Sequence, residues 1–172
     1  IQVSAKKFGI SKQSSSAKYK IPDLIKFKNN CIILGDPGAG KTTTLKKICN
    51  STLFPGSNNI IRAFPIVIEL RKLDTNESLN MRLQKELGLS IAAKKLLKKT
   101  EDSKIANDLI LQMLAKYLDE LDCIVIIDGL DELESNKLYF IQKEIQQLIF
   151  QTKNTKFYIT CRSGAYEVEI EN

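Results

Sequence analysis

The chain has 172 residues, enough for one domain with a proper core, and its 43% hydrophobic and 27% charged content is ordinary for a globular protein. No apolar run approaches membrane-spanning length and no segment reads as a secretory signal, so no membrane partner is expected. The formal net charge of +6 is modest, and the lysines are spread over an N-terminal arm and over helix-like stretches without interleaved aromatics, which argues against nucleic acid as a partner.

Residues 1–20 are rich in Ser and Lys and read as a flexible basic arm, with Ser14, Ser15 and Ser16 as its softest point. Residues 21–172 read as one domain. Ile21 to Ile25 predicts a short helix, and Asn30 to Leu34 a buried strand. The chain begins with Ile1 and stops at Asn172, so the expectation is a domain taken from a longer, multidomain protein.

Directly after that strand comes Gly35-Asp36-Pro37-Gly38-Ala39-Gly40-Lys41-Thr42, a complete G-x-x-x-x-G-K-[ST] phosphate loop (Walker A). A helix-compatible run follows, to about Phe54, so the motif has the strand and the helix it needs on either side. The chemistry accounts for the residue types. Gly35, Gly38 and Gly40 let the backbone curl its N–H groups inward and leave room for phosphate oxygens. The helix start adds the positive end of its dipole. Lys41 supplies a full charge to the terminal phosphates, and the Thr42 hydroxyl is placed to ligate Mg²⁺, with Thr43 in the same first turn. Pro37 stiffens the turn.

Pro55 to Asn59 is a loop, and Phe64 to Leu70 a second strand with Pro65 near its start, where proline is tolerated. Asp74 to Glu77 has the spacing of a helix entry, Ser78 to Leu87 predicts a helix stopped by Gly88, and Ser90 to Lys99 a short basic helix. Apolar residues at 105, 109, 110, 113, 114, 117 and 118 form a helical stripe.

Cys123 to Ile127 is a continuous apolar run, hence a strand buried on both faces, and it ends in Asp128 (Walker B). Such a strand delivers a carboxylate only at its tip, where Asp128 is placed to hold Mg²⁺ beside Thr42. The next residues are Gly129, Leu130, Asp131 and Glu132. Hydrolysis needs a group to orient or deprotonate water, and either Asp131 or Glu132 could serve. Lys137 to Phe150 repeats the helical stripe, Lys156 to Cys161 is a last strand, and Arg162 follows it, placed to sense or stabilise charge on the γ-phosphate.

The four cysteines, Cys31, Cys49, Cys123 and Cys161, lack C-x-x-C spacing and the chain has no His, so zinc is not expected. Three of them lie in the apolar strands and read as small hydrophobes in a reducing, cytoplasmic setting.

Alternation of strands and helices implies an α/β fold: a P-loop NTPase three-layer sandwich with a mainly parallel sheet flanked by helices, and its ligand at the carboxyl ends of the strands. The stretches Ile33 to Leu45, Ile124 to Leu133 and Tyr158 to Tyr166 together resemble the NACHT family of STAND-class P-loop NTPases. The resemblance covers about residues 25–170 and is most specific in the small residue after the magnesium aspartate followed by an acidic pair, met here by Gly129, Asp131 and Glu132. Arg162 falls at the family's sensor arginine.

The resemblance implies an ATP/ADP- and Mg²⁺-dependent switch in a signalling or defence protein, including innate immunity. It implies slow ATP hydrolysis coupled to self-oligomerisation, and effector and sensor domains fused outside this stretch. The alternative is a continuously turning-over ATPase of the AAA type, a remodeller or loader. The family's core sheet, of the ASCE type, usually has a fifth strand after the sensor strand. Here that core reads as truncated, with Glu167 to Ile170 either leading into that strand or forming a stub. The first strand is then expected to lie bare at an edge, inviting dimerisation.

Overall fold

The computed structural model describes residues 2–7, 17–26, 30–54 and 63–165. Its strands are β1 (Gln2–Lys7), β2 (Ala17–Lys20), β3 (Cys31–Leu34), β4 (Phe64–Glu69), β5 (Cys123–Asp128) and β6 (Lys156–Cys161). Its helices are α1 (Ile21–Lys26), α2 (Lys41–Leu53), α3 (Leu79–Glu86), α4 (Ser90–Lys99), α5 (Ser103–Glu120), α6 (Ser135–Gln151) and the single turn α7 (Ser163–Ala165). The spatial order of the sheet is β2-β1-β3-β6-β5-β4. Strands β3, β6, β5 and β4 run parallel, as the α/β reading requires.

The continuous apolar runs arise because the sheet is covered on both faces. On one face, Cys31 and Ile33 of β3, Ile124 and Ile126 of β5 and Tyr158 of β6 meet Leu24 and Ile25 of α1 and Leu45 and Ile48 of α2. On the other, Ile32, Ile66, Val125, Ile127, Phe157 and Ile159 pack beneath a larger helical layer that includes Leu83 of α3, Leu114 of α5 and Ile141, Ile145 and Leu148 of α6. Short polar side chains start two of these helices. The Ser78 hydroxyl accepts the Met81 N–H at 3.1 Å, and Asp102 accepts the Lys104 N–H at 2.7 Å, so leading amides of α3 and α5 find partners.

The chain leaves β3 over the first face, through α2, and leaves β5 over the second, through α6. Strand β6 lies between them. Because the two connections part in opposite directions, a crevice opens beyond the carboxyl ends of these three strands.

The edge of β3 differs from the sequence expectation. The arm expected to be flexible supplies two strands: β1 pairs antiparallel with β3, from Ser4 opposite Leu34 to Lys7 opposite Cys31, and β2 pairs antiparallel with β1. The edge expected to be bare is thus covered. The physical reason is that the unpaired N–H and C=O groups of β3 need partners, and a nearby segment with alternating Val3 and Ala5 supplies them. Ser14 to Ser16 and Glu167 to Ile170 lie outside the described residues.

Candidate functional site

The crevice has a volume of about 390 Å³ and is lined by the phosphate loop from Pro37 to Thr43, by Asp128, Gly129, Asp131 and Glu132, and by Thr160 and Arg162. Three chain segments far apart in sequence therefore meet in one place. Gly35 and Asp36 are not among the lining residues, but their carbonyls reach the site through Lys41, whose ammonium donates to Gly35 O at 2.5 Å and to Asp36 O at 3.2 Å.

The loop's shape follows from its glycines. Gly40, the N-cap of α2, has φ 84° in the left-handed region, which a residue with a Cβ rarely adopts. No side chain caps α2 and no acid sits in its first turn. Its leading N–H groups and dipole therefore face the crevice without a local carboxylate to satisfy them.

Thr42 and Asp128 meet across the crevice, the hydroxyl donating to Asp128 Oδ2 at 2.9 Å. Both offer hard oxygen donors, which fit Mg²⁺. Among the described residues no group of three or more His, Cys, Asp or Glu side chains could hold a metal. A cation between Thr42 and Asp128 would thus complete its shell with phosphate and water oxygens, the usual habit of Mg²⁺.

Asp128 is held from behind by Thr160, a residue given no role from the sequence. Thr160 is fully buried in β6, donates to Asp128 Oδ1, and accepts the Gly129 N–H at 2.8 Å. One hydroxyl thereby fixes both the carboxylate and the turn after it. The available signal was a lone polar residue inside the apolar run Phe157 to Cys161.

The two acids left open by the sequence differ in their surroundings. Asp131, whose side chain is 4% exposed, accepts the Arg162 backbone N–H at 2.8 Å through Oδ1 and the Arg162 Nε at 2.8 Å through Oδ2. Both its oxygens are engaged. Glu132 is exposed on the crevice wall, and its carboxyl carbon lies 2.9 Å from where a Cβ on Gly129 would stand. Gly129 also has φ 86°, so the tight turn and the close carboxylate both require glycine.

A family model for the NACHT domain matches residues 29–171. The chain belongs to the NACHT family. NACHT domains are nucleotide-binding P-loop NTPases, and the parallel sheet flanked by helices agrees with that fold. No curated relative matches the chain.

None of the four cysteines is in a disulfide, and burial pushes the Cys31 thiol up to about 12. Among the described residues, no helix is long and apolar enough to cross a membrane.

Proposed function

We propose that this NACHT domain is an ATP/ADP-dependent, Mg²⁺-requiring switch of a signalling or defence protein, with slow hydrolysis coupled to self-assembly. The observation that carries the reading is the convergence of Lys41, the Thr42–Asp128 pair and the Asp131–Arg162 pair on one crevice. Lys41 exchanges its loop carbonyls for phosphate oxygens, and Thr42 with Asp128 holds the cation. Glu132 orients the attacking water, because its carboxylate is exposed on the crevice wall whereas that of Asp131 is 4% exposed and faces Arg162. Asp131 instead holds the Arg162 guanidinium back at the rim of the site until a γ-phosphate draws it away.

Assembly with further copies, fused effector and sensor domains, and a cytoplasmic location belong to the same proposal. The reducing setting is supported by cysteines that form no disulfide. The test is the nucleotide retained on purification of the intact protein, read with its turnover. Tightly held ADP with negligible steady-state hydrolysis supports the switch. A bare site with rapid multiple turnover refutes it in favour of a continuously working ATPase.

A further inference from the structure

Helices α3, α4, α5 and α6 leave a groove of about 850 Å³ between them, and it shares no lining residue with the phosphate crevice. Its floor is buried core: Ala93 of α4, Ile110 and Leu111 of α5 and Ile141 of α6. On its walls Met81 of α3, Leu97 of α4 and Phe140 of α6 stand exposed. A concavity of this size can bury a ligand, and exposed apolar side chains gathered around one mark a contact surface.

The exposed charge on this groove is mostly positive. Lys94 and Lys143 line it, are exposed, and have no carboxylate partner among the described residues. Lys137 also lines it and donates to the Leu73 and Asp74 carbonyls, so its charge is not cancelled by an acid. Of the acids on the lining, Glu77 is paired with Lys85 and Glu144 accepts the Leu79 N–H at 2.9 Å, which leaves Asp108 as the exposed one. Beyond the lining, α4 adds Lys95, Lys98 and Lys99 and carries no acid. Lysines gathered in this way favour an anionic partner.

The shape selects among anions. No strand lines the groove, so an extended segment would find no sheet edge to pair with, whereas a helix brings its own backbone bonds. A phosphate backbone would use the lysines and leave Met81, Leu97 and Phe140 idle, and a flat bilayer does not enter a concave surface. A second copy of the chain is a poor match. Among the described helices α5 alone has more acids than basic residues, three against two.

We propose that this groove docks an acidic amphipathic helix of a separate protein, its apolar face on Met81, Leu97 and Phe140 and its carboxylates on Lys94 and Lys143. The probe is a fluorescent peptide of about 18 residues, with Leu at i, i+4, i+7 and i+11 and with Glu and Ala elsewhere. Anisotropy is followed as intact protein is added. The patterned peptide should bind at least about tenfold tighter than a scramble of the same charge, and a version with Lys in place of Glu should not bind. Joint Lys94→Glu and Lys143→Glu should weaken binding about tenfold, the effect of two exposed ion pairs, as should joint Leu97→Ala and Phe140→Ala. Joint Lys46→Glu and Lys47→Glu on α2, across the sheet, changes the net charge equally and should leave binding unchanged. These side chains are exposed, so thermal melts should stay near wild type. No binding, equal affinity for the scramble, or equal losses in the two charge-reversed variants overturns the proposal. Anionic vesicles and a single-stranded oligonucleotide serve as competitors. If either binds tighter than the peptide and loses affinity in the Lys94 and Lys143 variant, the groove belongs to a membrane or a nucleic acid and the proposal fails.

Discussion

Replacing Thr160 with valine keeps the shape of a fully buried side chain and removes only its hydroxyl. Two partners are then abandoned: the Gly129 N–H, which donated at 2.8 Å, and Asp128 Oδ1, which accepted. A buried donor without a partner costs about 1–3 kcal/mol, and a lost hydrogen bond to a charged group about 1.5–3 kcal/mol. The two losses share one hydroxyl and Asp128 keeps its bond from Thr42, so the sum is not additive and about 2–4 kcal/mol is expected. At about 2–4 °C per kcal/mol for a domain of this size, Tm should fall by roughly 5–15 °C. Thermal melts give the stability, and nucleotide titrations over a range of Mg²⁺ concentration give the effect on Asp128. Thr160→Ser retains the hydroxyl and should recover most of both. A valine variant as stable as wild type, with an unchanged Mg²⁺ requirement, would refute the argument, as would a serine variant no better than valine.

Lys41→Ala should abolish ATP binding by the intact protein, and unchanged affinity in calorimetry would remove the role given to that ammonium. The two acids should separate: Glu132→Gln preserves nucleotide affinity while slowing hydrolysis about 10²–10⁴-fold, the span of a positioned acid–base group, whereas Asp131→Asn frees Arg162 and strengthens ATP relative to ADP in competition binding. Identical phenotypes would erase the distinction between them. Glu77, with a side chain 3% exposed and paired with Lys85, is held below the usual glutamate range first by that hydrogen bond. Its folded value lies below its unfolded value, so its contribution is present above the ordinary glutamate value of about 4.3 and is lost as pH falls through the folded one. Urea melts should show wild type losing more stability than Glu77→Gln as pH drops below about 5, and parallel losses would contradict this.

The phosphate loop and the β5 tip were legible because their chemistry is written in adjacent residues. Gly35 to Thr42 and Cys123 to Asp128 state both the element and its charged end. The basic helix Ser90–Lys99 and the strand Lys156–Cys161 match their sequence bounds for a similar reason: periodicity and turn residues agree. What escaped the sequence depends on neighbours brought in by the sheet. Val3 and Ala5 carry a faint strand pattern among lysines and serines, and only the need of β3 for a partner gives it meaning. The different surroundings of Asp131 and Glu132 depend on Arg162, which lies at another strand's end.

In the proposed switch, the Asp131–Arg162 pair also gives a physical link between the γ-phosphate and Glu132. Arg162 is bonded to Asp131 twice, once by its backbone N–H and once by its Nε, and its side chain is 55% exposed. A guanidinium that swings toward a γ-phosphate gives up the Nε bond and keeps the backbone one. Asp131 is 4% exposed, so the oxygen it frees is left charged without a partner, a position that costs about 1–3 kcal/mol or more. That cost is relieved if the turn Leu130–Glu132 shifts to follow the guanidinium or to reach water. Glu132 rides on the same turn. Arrival of a third phosphate would thus move the acid that acts on it, whereas a diphosphate would leave both bonds of Asp131 in place. Amide hydrogen exchange across Leu130–Glu132 should therefore change when ADP is replaced by a non-hydrolysable ATP analogue, and the change should vanish in Arg162→Ala. Equal exchange with the two nucleotides would break the link between the γ-phosphate and this turn.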